Sequence, residues 1–238
     1  MTALRTEGLQ KSFGGLRAVQ GVDLTVETGQ LLGLFGPNGA GKTTLFNLIA
    51  GEMRPDRGGI FLDGEDITRL PGWRRVRLGI GRTFQVTRPF RDLTVMENVL
   101  AGVPRSDATR PHDEASAYSL LERVGLAERA GDPASQLTLG MLKRLEVVRV
   151  LAIEPKLLLL DEPLAGLSVR ESAELLEFVV TLKAATAIII VDHNVRQCLP
   201  VCDTAMVMDG GEVIAHGLPE EVRTNPRVVR AYLGEEAA

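Results

Sequence analysis

Short apolar runs alternate with helical patterns along most of this chain. Residues 31–35, 157–160 and 187–191 are almost wholly apolar, and a glycine or an aspartate follows each run. Uninterrupted apolar runs of this length are typical of strands buried on both faces, as in a parallel sheet. Because helical patterns separate the runs, the chain is predicted to have an α/β fold.

Other segments follow the periods of helices and antiparallel strands. Residues 2–35 have β character, residues 59–64 indicate a strand that ends in an Asp-Gly turn, and residues 205–215 indicate a hairpin. Thr94 and Ser168 each precede a glutamate by three residues, which is the capping-box pattern of a helix start. Helices are predicted over residues 43–50, 168–183 and 226–232. Residues 94–153 are predicted to be mostly helical, with a loop within them.

A glycine-rich stretch follows the first buried run. It matches the phosphate-binding pattern G-x-x-x-x-G-K-[ST] with Gly36, Pro37, Asn38, Gly39, Ala40, Gly41, Lys42, Thr43 and Thr44. Its glycines let backbone N–H groups point inward around an anion, and the following helix adds the positive end of its dipole. Lys42 would reach the β- and γ-phosphates of a nucleotide, and the Thr43 hydroxyl would bind Mg²⁺. A chance match in a glycine-rich turn is the alternative, and the flanking strand and helix disfavour it.

Acidic and imidazole side chains follow two other buried runs. Asp161 and Glu162 come after the four leucines, and His193 comes after residues 187–191. In open α/β sheets, ligands bind at the carboxyl ends of the strands, where these residues would lie. Asp161 is predicted to hold Mg²⁺ and Glu162 to polarise an attacking water, although Asp-Glu could also be a charged loop start.

An aromatic residue precedes a glycine pair near the start of the chain. Phe13 comes before Gly14 and Gly15, so its ring is expected at a bend. It could stack on an adenine or lie against the sheet edge, and the sequence leaves both open.

Composition narrows the class of protein. The net charge of −4 gives no general argument for nucleic-acid binding. Cys198 and Cys202 lack nearby ligands, so they favour buried or surface thiols over a metal site and suggest a reducing compartment. No apolar run approaches the ~18–20 residues of a membrane span, and the first residues lack the apolar stretch of a signal peptide. We expect a soluble intracellular protein unless a partner holds it at a membrane.

One local charge cluster stands out against this balance. The arginines of residues 69–91 have few acidic residues among them. We expect them to form a solvated face or, alternatively, a docking surface for an acidic or membrane-proximal partner. They are Arg69, Arg74, Arg75, Arg77, Arg82, Arg88 and Arg91.

The ordered set of motifs resembles the ATP-binding cassette ATPases over essentially the whole chain. The resemblance implies a P-loop NTPase with a RecA-like mixed sheet and flanking helices, an antiparallel β subdomain and a helical subdomain. It implies one nucleotide-binding domain over residues 1–238. The ATP-binding core and β subdomain would comprise residues 1–86 and 156–238, and the helical subdomain residues 87–155.

Roles follow from the same resemblance. Phe13 would stack on adenine, Glu162 would be the catalytic base, and His193 would be the switch histidine on the γ-phosphate. Gln85 would sense Mg²⁺ and the attacking water and link the site to a membrane partner. Thr138 and Gly140 would contact the γ-phosphate held by an opposite subunit.

Three positions depart from the family pattern. Leu139 and Met141 replace residues of the usual Ser-Gly-Gly-Gln signature, and Ser168 stands where an aspartate is often found. These changes could weaken the contact with the second nucleotide and the communication between two sites.

A narrower resemblance suggests the transported cargo. Residues 79–85, 88–98 and 225–234 look like the ATPase subunits of importers for branched-chain amino acids, amides or urea. ATP and Mg²⁺ are the implied cofactors. The implied partners are permease subunits, a second ATPase subunit in a head-to-tail homodimer or heterodimer and, indirectly, a solute-binding protein, with no nucleic acid. The chain would then be cytoplasmic, on the inner face of the cell membrane.

Two alternatives remain open from the sequence. One is a nucleotide-gated module with weak hydrolysis of its own, paired with a more active paralogue. The other is a non-transport cassette ATPase that works on ribosomes or DNA, for which the arginine cluster gives some support.

Overall fold

The computed structural model describes residues 1–84, 88–102 and 114–233. In chain order, strands β1 to β10 are Thr2–Phe13, Leu16–Glu27, Leu31–Phe35, Arg57–Leu62, Glu65–Asp66, Ile80–Arg82, Leu157–Asp161, Ala187–Val191, Thr204–Asp209 and Glu212–Gly217. Helices α1 to α9 are Lys42–Ala50, Gly72–Leu78, Val95–Ala101, Glu114–Arg123, Leu139–Leu151, Val169–Leu182, Val195–Cys198, Pro219–Thr224 and Pro226–Leu233. Short 3₁₀ turns cover Ala127–Arg129, Ala134–Gln136 and Leu199–Val201.

The larger sheet has the strand order β10-β9-β3-β8-β7-β6. Strands β9, β3, β8, β7 and β6 run parallel, and β10 pairs antiparallel with β9 at one edge. Helices cover this mixed sheet. The predicted α/β fold is therefore confirmed, and the apolar runs are indeed its central strands.

Successive residues of the central strands enter different hydrophobic cores. In β7, Leu158 and Leu160 join the core that contains residues of α3 to α6. Leu157 and Leu159 join the core that contains α1 and the first strands of the chain. Because side chains alternate across a strand, each of these strands needs apolar residues at every position.

A second sheet, of antiparallel strands, has the order β2-β1-β4-β5. Gln20 N on β2 donates to Gly211 O in the turn between β9 and β10, with an N–O distance of 2.8 Å. This bond places the β1–β2 hairpin, which ends in Phe13, beside the loop that follows β3.

The predicted capping boxes form at both sites. Glu97 N donates to Thr94 Oγ1 at 3.1 Å, and Thr94 N donates to Glu97 Oε2 at 2.7 Å. Ser168 and Glu171 make the equivalent pair of bonds at the start of α6. Helices α2, α7 and α8 were not predicted, because they are too short to show a helical period. The subdomain boundaries stay a prediction, and the one after Val86 lies outside the described residues.

Two arginines of the predicted surface cluster are not on the surface. Arg75 is fully buried, and its guanidinium donates to carbonyl oxygens of α1 and the loop before α2: those of Leu48, Ile49, Thr68 and Leu70, at 2.7–3.0 Å. The expectation of one solvated or docking face is therefore wrong for Arg75 and for Arg82, whose side chain is only 11% exposed. Burial lowers the pKa of Arg75 to about 10.

Two further observations concern the membrane and the thiols. Within the described ranges, no helix is long and apolar enough to cross a membrane. Cys198 and Cys202 are both buried and unbridged, and burial raises the pKa of both thiols, that of Cys202 to about 12.

Replacing Arg75 tests whether its guanidinium supports the end of α1. In the Arg75→Met variant, buried carbonyl oxygens of the last turn of α1 lose their donor, so we expect the free energy of unfolding to fall by about 3 kcal/mol. Urea denaturation measures this change. The exposed neighbour Arg74 gives the control, because Arg74→Met should stay within about 0.5 kcal/mol of the wild type. Equal losses in the two variants would contradict the assignment.

Candidate active site

The candidate site lies where four neighbouring parallel strands end. In the order β3-β8-β7-β6, the pairs Leu34 with Val191, Asp161 with Val191, and Arg82 with Leu159 keep the strand ends close to level. The loop of residues 36–41, His193, Asp161 and Glu162 therefore lie along one edge of the sheet. This is the arrangement that the sequence predicted, and it is where open α/β sheets bind ligands.

Two glycines in the loop after β3 are required by close backbone approaches. A Cβ on Gly36 would lie 2.1 Å from Met208 O, and a Cβ on Gly41 would lie 2.1 Å from Ala18 O. Their φ angles are +143° and +100°, which side chains rarely allow. Neighbouring strands thus shape the loop through these two close approaches.

Lys42 is held inside this loop. Its Nζ donates to Gly36 O at 2.6 Å and to Pro37 O at 2.8 Å, and the residue is only 6% exposed. A buried ammonium strongly favours a nearby anion. The loop therefore presents the positive charge that a polyphosphate needs.

The start of α1 adds backbone donors. Gly41 is its N-cap, and no side chain among the described residues caps the helix. Its first N–H groups, including those of Thr43 and Thr44, are therefore not taken up by a side-chain cap, and a phosphate at this position would accept from them. Asn38, Gly39 and Thr43 are exposed, as a site that admits a ligand requires. The residues thus fit a nucleotide phosphate chain.

Asp161 is anchored through its backbone and its carboxylate. Asp161 N donates to Thr83 Oγ1 at 3.1 Å, and Arg82 Nη2 donates to Asp161 Oδ2 at 2.7 Å. Within the described residues, no cluster of three or more His, Cys, Asp or Glu side chains could hold a metal. Mg²⁺ is usually held by one or two carboxylates plus phosphate oxygens and waters, so Asp161 with the Thr43 hydroxyl fits that ion.

Glu162 and His193 form a close pair. His193 Nε2 and Glu162 Oε1 lie 2.9 Å apart, within hydrogen-bond distance. Glu162 has a φ of +46°, a left-handed conformation, while its N–H donates to Val191 O at 2.8 Å and its carbonyl accepts from Lys143 Nζ at 3.1 Å. Its side chain is 15% exposed and that of His193 is 53% exposed. The carboxylate is thus held at the strand ends with one side open to solvent.

Asp192 is a site residue that the sequence reasoning passed over. Leu164 N donates to its Oδ2 at 3.0 Å, and Asn194 N donates to its Oδ1 at 2.8 Å. The carboxylate thereby joins the loop after Glu162 to the loop that carries His193. Burial raises its pKa, against the effect of these two backbone donors. Its position beside His193, directly after a buried run, is the feature of the sequence that could have identified it.

Phe13 lies at the tip of the β1–β2 hairpin with 49% of its surface exposed. Lys11 Nζ lies 5.6 Å from its ring centroid. Of the two interpretations that the sequence left open, the structure favours a ring available for stacking over one covered by the sheet edge.

The signature-like segment lies on α5. Thr138 caps this helix by accepting from Met141 N at 3.4 Å, and Gly140 is buried beside the Glu171 side chain, which a Cβ at Gly140 would displace. Leu139 is 44% exposed and approaches Gly166. Gln85, predicted to contact Mg²⁺ and the attacking water, lies outside the described residues.

Comparisons with known proteins identify relatives over nearly the whole chain. The family model described as ABC transporter matches residues 19–165, and the model described as branched-chain amino acid ATP-binding cassette transporter matches residues 212–238. The chain is 41% identical to the high-affinity branched-chain amino acid transport ATP-binding protein LivG of Salmonella typhimurium, covering 98% of both proteins. It is 40% identical to the lipopolysaccharide export system ATP-binding protein LptB of Haemophilus influenzae, covering 99% of both.

A solved structure extends the similarity to the whole fold. The crystal structure of the ADP conformation of an ATP-binding cassette from an ABC transporter superposes with a TM-score of 0.90. The two chains are 32% identical, and the match covers 98% of this chain and 99% of the other.

Replacing Gly41 tests the shape of the phosphate loop. The Gly41→Ala methyl group would overlap Ala18 O and displace the β1–β2 hairpin, so we expect nucleotide affinity to fall by at least about tenfold, or 1.4 kcal/mol. Titration with a fluorescent ATP analogue measures this. Gly39→Ala is the matched control: φ is +78° there, but nothing lies within 4 Å of the added carbon. In Gly39→Ala, the loss of binding free energy for the nucleotide should be limited to the backbone strain, about 1 kcal/mol. Equal losses would show that space at Gly41 is not the cause.

Proposed function

This chain belongs to the ATP-binding cassette family of ABC transporter ATPases, and on that basis we propose that it powers the uptake of branched-chain amino acids or related small polar solutes. It binds ATP and is the ATPase subunit of a transporter. The match of residues 212–238 to the branched-chain model is the observation that carries the cargo class. An export ATPase is nearly as similar overall, so the match of residues 212–238, and not overall identity, supports uptake.

We propose that the residues at the strand ends divide the work of ATP hydrolysis. Lys42 and the N–H groups of residues 39–44 bind the phosphates, and Phe13 stacks on the adenine. Thr43 and Asp161 hold Mg²⁺, which neutralises phosphate charge when bound. These assignments are supported by the buried Lys42 ammonium, the uncapped start of α1 and the exposed Phe13 ring.

Glu162 is proposed as the general base. A positioned carboxylate that takes a proton from the attacking water contributes about 10²–10⁴-fold to a rate. His193 Nε2 lies 2.9 Å from Glu162 Oε1, so it can orient that carboxylate. The proposed contact of His193 with the γ-phosphate rests on the family resemblance. The proposed role of Gln85, to sense the metal and the water, rests on the family resemblance.

We propose that a second subunit completes the phosphate site of one chain. Thr138 is exposed at the N-cap of α5, and the family resemblance gives Thr138 and Gly140 contacts with the nucleotide of an opposite subunit. We therefore propose a head-to-tail dimer with a second copy or a paralogue. In it, each Thr138 and Gly140, at the start of α5, faces the nucleotide of the opposite chain.

A groove beside the β6 end is the proposed docking site for the permease. The exposed rings of Phe84 and Phe90 line it, with Glu146 and Arg149 at its base. Phe84 N donates to Glu146 Oε1 at 2.8 Å, so the groove joins α5 to the segment that leads to Gln85. Docking there would hold the chain at the inner face of the membrane and, through the permease, couple it to a solute-binding protein.

A nucleotide-gated module with weak hydrolysis is the second candidate. The exposed Leu139 side chain at a signature position usually held by glycine favours it. Steady-state ATP turnover by the isolated chain would exclude this candidate.

The Glu162→Gln variant tests the catalytic assignment. It should bind ATP with Mg²⁺ as the wild type does, but hydrolysis should fall about 10²–10⁴-fold because the base is lost. The trapped ATP should also shift the chain towards the dimer in size-exclusion chromatography. Glu177→Gln, at an exposed position of α6, serves as the control and should leave both properties unchanged. Unchanged turnover and oligomeric state in Glu162→Gln would contradict the role.

Uptake measurements test the cargo. In cells that lack only this chain, uptake of labelled leucine, isoleucine and valine should fall to background, because the permease loses its energy source. The wild-type chain should restore it and Glu162→Gln should not. Maltose uptake serves as the control solute. The proposal would be contradicted if uptake of branched-chain amino acids stayed unchanged while uptake of another solute, or an export process, was lost.

A further inference from the structure

A cation of the chain itself already binds the carboxylate proposed for Mg²⁺. Arg82 Nη2 lies 2.7 Å from Asp161 Oδ2. The other terminal nitrogen, Nη1, donates to Asn47 Oδ1 at 2.7 Å and lies 2.9 Å from Glu52 Oε1. The guanidinium therefore connects the end of β7 to the helix that begins at the phosphate loop.

This ion pair is shielded from water. The Arg82 side chain is 11% exposed and that of Asp161 is 8% exposed. Both charges lose hydration on folding, so each depends on the other for compensation. Arg82 Nε is buried without a hydrogen-bond partner, which indicates that contacts at the terminal nitrogens fix the guanidinium.

We propose that Arg82 is a resident counter-ion of Asp161, which compensates this carboxylate before nucleotide arrives and competes with Mg²⁺ for it. The inference rests on the proposed role of Asp161 as the Mg²⁺ carboxylate. Two cations on one carboxylate repel each other, and the repulsion is strong where water is excluded. Arg82 thus sets the Mg²⁺ concentration at which nucleotide binds tightly.

Glu52 makes this exchange possible. When Asp161 turns to Mg²⁺, the guanidinium keeps Glu52 and Asn47 as partners and is not left as an unpaired buried charge. Glu52 is 45% exposed, so it can hold the arginine without a large desolvation cost of its own. The carboxylates of Asp161 and Glu52 therefore share Arg82. If one of these two ion pairs is weakened, Arg82 should bind the other carboxylate more tightly.

The backbone links this exchange to the segment that carries Gln85. Arg82 ends β6, and the next residue, Thr83, accepts from Asp161 N while its own N–H donates to Leu159 O at 2.9 Å. Phe84 N then donates to Glu146 on α5. A shift of this segment would change how tightly Arg82 holds Asp161, and with it the affinity for Mg²⁺.

Titrating Mg²⁺ at fixed fluorescent ADP analogue tests the proposal without hydrolysis. In Arg82→Met the Mg²⁺ concentration for half-maximal binding should fall by about three- to tenfold, because the competing charge is gone. In Glu52→Gln it should rise, since Arg82 then depends more on Asp161. Arg82→Lys, which keeps the charge but not the fork, should lie between Arg82→Met and the wild type.

Two further variants separate the causes. Lys156→Met removes an exposed lysine that also pairs with an aspartate, Asp63, and should leave the Mg²⁺ requirement unchanged. Asp161→Asn should raise that requirement strongly. If Asp161→Asn leaves it unchanged, the proposed metal role of Asp161 fails. If Asp161→Asn raises it but Arg82→Met does not lower it, the counter-ion role of Arg82 fails alone.

Thermal melting gives a second readout. Without divalent cation, Arg82→Met should melt below the wild type, because Asp161 is left uncompensated, and Mg²⁺ with ADP should restore more of its stability than it adds to the wild type. A purely structural arginine predicts that Arg82→Met and Glu52→Gln both weaken Mg²⁺ binding. That result would overturn the proposal.

Discussion

The parallel register of β3, β8, β7 and β6 is the constraint on which the rest of this structure depends. Side chains alternate across each strand, so a slip of one residue would exchange the sets that fill the two hydrophobic cores. A slip of β7 would also put Lys156 or Asp161 in place of a buried leucine, and a slip of β8 would put Thr186 or Asp192 in place of a buried apolar residue. The same packing therefore fixes where Asp161, Glu162 and His193 emerge, within reach of the phosphate loop. Apolar burial sets the geometry of a polar site.

The sequence was sufficient for features that depend on local chemistry. The apolar runs predicted the central strands, the two serine/threonine–glutamate pairs predicted helix starts, and the glycine spacing predicted the phosphate loop. In each case the sequence signal lies within a few residues, although the contacts that require Gly36 and Gly41 come from distant parts of the chain. Asp161, Glu162 and His193 were found from their position after buried runs, because parallel strands bring their ends to one edge.

Features set by distant partners could not be predicted. Nothing near Arg75 in the sequence shows that it ends among carbonyl oxygens of α1, or that Arg82 meets a carboxylate 79 residues away. Asp192 could not be recognised as a site residue because one of its donors, Leu164, lies in the loop after β7, whereas Asp192 follows β8. Buried charges depend on tertiary structure for compensation, so their role becomes visible only when the chain is folded. The same holds for Leu139 at the start of α5, whose side chain lies close to Gly166 in the loop after β7.

The buried thiols have a practical consequence for spectroscopy on this protein. Maleimides and iodoacetamides react with thiolates, and neither Cys198 nor Cys202 is exposed or readily ionised at neutral pH. A cysteine introduced at an exposed position would therefore take up a dye or spin label selectively in the native fold. Distance measurements between two subunits can start from the natural sequence, with both native sulfur atoms left in the hydrophobic core beside α7.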